Sequence, residues 1–292
     1  MKQSILLISF LFTIVSFISC NGPIDSDSSI SSFNYGTESD SARYYYLEGW
    51  KKIMDEGRWT KSELAFRKAA WNDDEFALGK ALVARISRKI EEREKLISEI
   101  ESMVTPQDEA VELLLAIYMN SVAFLNYRDR GVEITPEMRA NKDSIAELNH
   151  KRFLNIHPYA IYEKAEYVEI LHYKYGAQMA IDTLKKITDD KDKSIPFFVS
   201  YEAILEAELG NFGRSGILIN KLDSLLDENA PARYFTRASV YKLMDSIAFA
   251  KAMAEQAYQL DTNHLLAKAM IDRLSDDKTR GRGEVEKEGK VK

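Results

Sequence analysis

Two short stretches carry ligand chemistry at helical spacing: ELNH, from Glu147 to His150, and EILH, from Glu169 to His172. Residues three apart share one face of a helix, so each pair could offer a carboxylate oxygen and an imidazole nitrogen to a single metal ion. A di-iron carboxylate site needs two such pairs and one further Glu from each of two other helices. Glu112 and Glu206 would have to serve, from helices shorter than such bundles use. Where 29% of residues are charged, Glu and His at this spacing on a solvated face is the ordinary outcome. A di-iron enzyme is therefore a remote alternative, and the residues are read as holding no metal and no cofactor. His157 and His264 precede helices, in IHPY and TNHLL, where a turn role outweighs a catalytic one. FGRSG, Phe212 to Gly216, lacks the Gly-x-Ser-x-Gly pattern of a nucleophile elbow. Gly79-Lys80 is followed by Ala81 and lacks the upstream glycine of a phosphate loop. With no nucleophile–base pair, no catalytic residue is assigned and the chain is read as not an enzyme.

Whatever these side chains do, helices must position them. The 292 residues include only 13 Gly and 6 Pro, and alternating apolar–polar runs rich in β-branched residues are nearly absent. The pattern predicts an all-α fold. Helices are expected near 42–56, 60–72, 75–87, 89–103, 107–126, 137–155, 159–174, 177–188, 196–209, 213–226, 232–243, 247–260 and 263–275. Connections of two to six residues make consecutive helices antiparallel neighbours. Thr105-Pro106 and Thr135-Pro136 each place a capping side chain before Pro at the first helical position. TKSE, Thr60 to Glu63, reads as a capping box.

The single cysteine ends an apolar run from Ile5 to Ile18, broken by Ser9, Thr13 and Ser16 and preceded by Lys2. A membrane-spanning helix needs about 20 apolar residues and a secretory signal about 7–15. The run fits the second, and no other run is expected to reach spanning length. Phe17-Ile18-Ser19-Cys20 resembles a bacterial lipobox. The resemblance implies a signal peptide at 1–19 and lipidation of Cys20, and in such lipoproteins Asn21 at the next position favours the outer membrane. Residues 20–41 are expected to form the lipidated Cys and a flexible Ser/Asp-rich tether, 42–275 the helical domain, and 276–292 a disordered charged tail. A net charge of −6 argues against a nucleic-acid partner.

The helical domain repeats a pattern. In YYYLEGWKKIMDEGRWTKSELAFRKAAWNDDE, Gly57 sits between two helices, followed by Trp59, Ser62, Phe66 and Ala69. Gly210, Phe212, Ser215, Ile219 and Leu222 repeat its second half. Tyr234, Ala238 and Tyr241, then Ala250, Ala254 and Ala257, repeat both halves. The pattern resembles a tetratricopeptide repeat. It implies a TPR-like α-solenoid of antiparallel helical hairpins, about six of them plus a C-terminal capping helix, in which stacking buries the face that one hairpin cannot bury alone. In that family the first helix of each hairpin lines a concave groove. Aligned on Gly57, the candidate groove residues are Tyr44, Leu47, Lys51 and Met54, with Phe235, Ser239 and Lys242 in a later hairpin. The resemblance implies a non-catalytic scaffold that binds a protein partner in the cell envelope, on the periplasmic face of the outer membrane. An outer-membrane glycan-binding lipoprotein is the alternative.

Overall fold

The computed structural model describes residues 33–103 and 108–275, which belong to one compact unit. Among them every regular element is a helix. Cys20 and the leader, most of the tether, Thr105-Pro106 and the tail at 276–292 lie outside the described residues.

The first two helices, α1 (Asp40–Met54) and α2 (Trp59–Asn72), form a hairpin. The helices α3 (Ala77–Ile86), α4 (Ile90–Ser102) and α5 (Glu109–Asp129) follow, with α5 packed on α3. Next come α6 (Pro136–Ile156), α7 (Ile161–Tyr175) and α8 (Ala177–Ile187), each on its predecessor. Then α9 (Pro196–Glu208) packs on α10 (Phe212–Leu225) and also on α11 (Pro231–Leu243), which pairs with α12 (Ile247–Leu260). Residues 265–275 form α13.

Local chemistry explains several of these boundaries. The Thr135 hydroxyl accepts from the Met138 amide at 3.2 Å, with Pro136 in the first turn, as the Thr-Pro pair predicts. Asp108 caps α5 through the amides of Ala110 and Val111. Ala250, Ala254 and Ala257, all fully buried, let α12 lie close against α11. The Thr60–Glu63 capping box does not form. Instead Asp261, from the distant C-terminal end, accepts from the Thr60 amide at 2.8 Å and its hydroxyl at 2.6 Å. A full carboxylate at a helix N-terminus is the stronger acceptor, and only tertiary folding brings it there.

That contact belongs to a set joining the first hairpin to the last helices. The Ala232 amide donates to the Glu56 carbonyl at 3.1 Å. The Arg58 guanidinium meets Asp227 at 2.8 and 3.0 Å, 169 positions away. Gly57 makes the approach possible. Its φ is +70°, and a Cβ there would lie 2.7 Å from the Ala232 nitrogen.

Two expectations need correction. The body begins earlier than residue 42: Phe33 and Tyr35 are 5% and 3% exposed. Phe33 packs on Phe153 and His157, and Tyr35 on Tyr46. The Ser- and Asp-rich composition masked these two aromatic anchors. Also, α5 is long and apolar enough to cross a membrane by length and composition. Its Val111, Leu114, Ile117, Tyr118 and Val122 are instead buried in the core, so here the apolar run fills a protein interior.

The anchoring of residue 35 predicts that Tyr35→Ala lowers stability by about 3–5 kcal/mol, the range for deleting a buried aromatic ring. Chemical denaturation measures this. An unchanged midpoint would mean that the segment is a free tether.

Candidate functional site

A cavity of about 580 Å³ lies among the helices. Trp50, Ile53 and Met54 of α1 border it, as do Leu82, Arg85 and Ile86 of α3 and Phe124 and Leu125 of α5. Glu166 and Glu169 of α7, Phe197 and Tyr201 of α9, Phe235 and Thr236 of α11, and His264 and Leu265 at the start of α13 complete most of the wall. Every odd-numbered helix thus reaches the cavity. Of the even-numbered ones, α2 supplies Trp59 and Phe66, and α6 supplies Lys142.

The wall is mainly apolar, and its two acids, Glu166 and Glu169, both stand on α7. Glu163, Glu166 and Glu169 recur every three residues and so follow one side of that helix. Arg85 Nη1 meets Glu166 Oε1 at 2.5 Å, and the guanidinium lies over the rings of Trp50 and Tyr118 at 5.8 and 5.5 Å. Behind Glu166, His150 Nδ1 donates to the Ala146 carbonyl at 2.8 Å. That bond turns its Nε2 toward Glu166 Oε2 at 3.6 Å, too far for a hydrogen bond. Burial pushes the Glu166 carboxyl up, but the Arg85 charge and His150 outweigh it and leave the group below its usual range.

The neighbouring acids behave oppositely. Glu163 is buried with neither carboxyl oxygen hydrogen-bonded, and burial, reinforced by Glu166, raises it to about 8. Glu169 rises to about 7 through burial and the charge of Glu166, with Arg85 opposing. Asp55, at the end of α1, also rises to about 7 by burial. The amide of Phe197 and the hydroxyl of Tyr162 oppose that rise, each at 3.3 Å. Carboxyls kept neutral by their surroundings cluster at binding and catalytic sites more often than elsewhere.

The residues expected to line a groove are dispersed. Met54 and Phe235 border the cavity. Tyr44 is 60% exposed and pairs edge-on with Tyr45. Leu47 packs on the hydrophobic core, and Lys51 and Lys242 are exposed. The Ser239 hydroxyl donates to the Phe235 carbonyl of its own helix. Sequence reasoning missed Trp50, Arg85 and Glu166, and it weighed Glu169 only as half of a metal-ligand pair. The available signal was three acids at three-residue spacing in IYEKAEYVEILHYKY, whose other residues are apolar or aromatic apart from two Lys and one His.

The two Glu-x-x-His pairs engage separate partners. Glu147 accepts from Lys174 and Tyr175, while His150 turns inward to Glu166. His172 bonds Tyr201 at 2.8 Å and Glu208 at 2.9 Å. Among the described residues no group of three or more His, Cys, Asp or Glu is placed to hold a metal ion. His264 serves the turn, as its position before a helix suggested: Nδ1 accepts from the Ala267 amide at 3.2 Å. Burial lowers that imidazole to about 4.

No protein-family model matches the chain, and no curated protein matches it.

The raised carboxyls predict a stability that depends on pH. An unfolded Glu releases its proton near 4.3, whereas folded Glu163 holds it to about 8. Between those values the folded state binds more protons, so its stability falls as pH rises and levels off above about 8. Glu163→Gln should therefore be more stable than wild type by on the order of 5 kcal/mol at pH 9 and by far less at pH 5. Urea denaturation at the two values checks this; parallel curves would rule out a protonated Glu163.

Proposed function

We propose that this chain is a lipid-anchored, non-catalytic helical-repeat protein of the tetratricopeptide-like type. It is tethered through Cys20 on the periplasmic face of the outer membrane and takes part of another envelope protein into the cavity. The observation that carries the reading is that every odd-numbered helix reaches one cavity. In tetratricopeptide solenoids the first helices of successive hairpins share a recognition surface in this way. The pairing of α9 with both α10 and α11 supports it, as do Gly57, Gly210 and Asp245, all with positive φ between paired helices. The glycan alternative draws on the aromatic walls, since flat rings suit sugar faces as well as side chains.

The test is site-specific photo-crosslinking in intact cells. A crosslinking residue at Met54 should capture a defined envelope protein, identified by mass spectrometry. One at Ile217, which is 61% exposed on α10, should not. Cys20→Ser should move the chain out of the membrane fraction and abolish the capture. Equal capture from both positions would overturn the cavity as the partner site. Membrane retention of Cys20→Ser would overturn the anchor.

A further inference from the structure

We propose that the cavity recognises a protonated amine carried on an apolar body, with Glu169 as its acceptor. The inference rests on the binding reading above and specifies the chemistry of the guest.

Two acids, Glu166 and Glu169, face one arginine. Arg85 is committed to Glu166 Oε1 at 2.5 Å and to the faces of Trp50 and Tyr118. Glu166 Oε2 is buried on the side turned to His150 Nε2, at 3.6 Å. Glu169 makes no hydrogen bond or ion pair among the described residues. The remaining cation on the wall, Lys142, is met by Asp143 at 2.6 Å and lies over the Phe124 ring. Glu169 is therefore the acid on the wall without a partner of its own among the described residues.

Each class of guest meets that wall differently. An anion would face the excess acid and be repelled. A purely apolar molecule would cover Glu169 and leave it unsatisfied, at about 1–3 kcal/mol. An ammonium group supplies up to three N–H donors and a neutralising charge. Its carbon body would lie on Phe197, Tyr201, Phe235 and Met54, where ring faces also favour cations. The volume, about 580 Å³, falls within the range of small-ligand sites, roughly 300–1,000 Å³. The raised value of Glu169 is in keeping: without a facing cation its charge is disfavoured by burial and by Glu166.

Such an amine could be a lysine side chain of a partner protein or a free alkylamine, and the experiment separates the two. The full chain in lipid nanodiscs is titrated by calorimetry, with nanodiscs alone subtracted. One set of probes is hexylamine, hexanol and hexanoate; the other is acetyl-Leu-Lys-Leu-amide and its norleucine counterpart. The expected result is that hexylamine and the lysine peptide bind at least tenfold more tightly than their uncharged or anionic counterparts. Glu169→Gln should erase that preference, while Glu169→Asp should keep part of it, with both variants verified as folded by their thermal transitions. Binding of hexylamine without the peptide would support the amine site and overturn the protein-guest reading. Equal binding of both peptides, unaffected by Glu169→Gln, would overturn the amine inference and leave the protein-guest reading standing. Preference for hexanoate, or no binding of any probe, would overturn the inference.

Discussion

The Glu56 carbonyl accepts a hydrogen bond from the Ala232 amide, and the geometry of the cavity depends on that contact. It joins the end of α1 to the start of α11, so Trp50 and Met54 on one wall are held opposite Phe235 on another. Only glycine suits position 57, because the backbone there is left-handed and a β-carbon would collide with α11. The Arg58–Asp227 pair and the Asp261 cap on Thr60 brace the same junction. In a linear repeat array each unit touches only its neighbours and stability is a sum of local terms. Here the first hairpin also leans on the last helices, and the cavity wall is built from both.

The buried charges divide into two kinds. Arg93 is fully matched: Nε donates to Asn126, Nη1 to the Ser87 carbonyl, and Nη2 pairs with Asp129. Lys164 and Asp192 pair at 2.6 Å in the same fashion. These groups hold connections in place. The acids of α7 are not matched, since Glu163 has no hydrogen bond and Glu166 has one oxygen free. A packing optimum would place apolar residues there, because a buried polar group without a partner is destabilising. Of the three acids, Glu169 stands on the cavity wall without a partner among the described residues, as recognition of a donor requires.

Much of the fold was legible because helix signals are local. The pattern of Ala250, Ala254 and Ala257 and the Thr135-Pro136 pair mark their helices correctly, since spacing and caps act within a few residues. What failed depended on distant neighbours. The capping box at Thr60 lost to a carboxylate 201 positions away. Phe33 and Tyr35 were hidden in a polar stretch whose composition says nothing of an aromatic pocket formed by Tyr46, Phe153 and His157. The groove alignment began its stripe at Tyr44, yet the cavity-facing residues of α1 start at Trp50. Which turn of a helix meets a cavity is set by the helices around it, and a repeat pattern alone does not supply that rotation.

The central claim is that the first hairpin and the last helices form one cooperative wall. Native-state hydrogen exchange of Gly57→Val tests it most directly. A branched side chain at a left-handed position pressed against Ala232 would break the junction without touching the core of either hairpin. The account predicts that amides in α11 and α12 lose protection together with those in α1 and α2. If α11 and α12 keep their wild-type protection while the first hairpin alone weakens, the helices act as a linear array and the shared wall is contradicted.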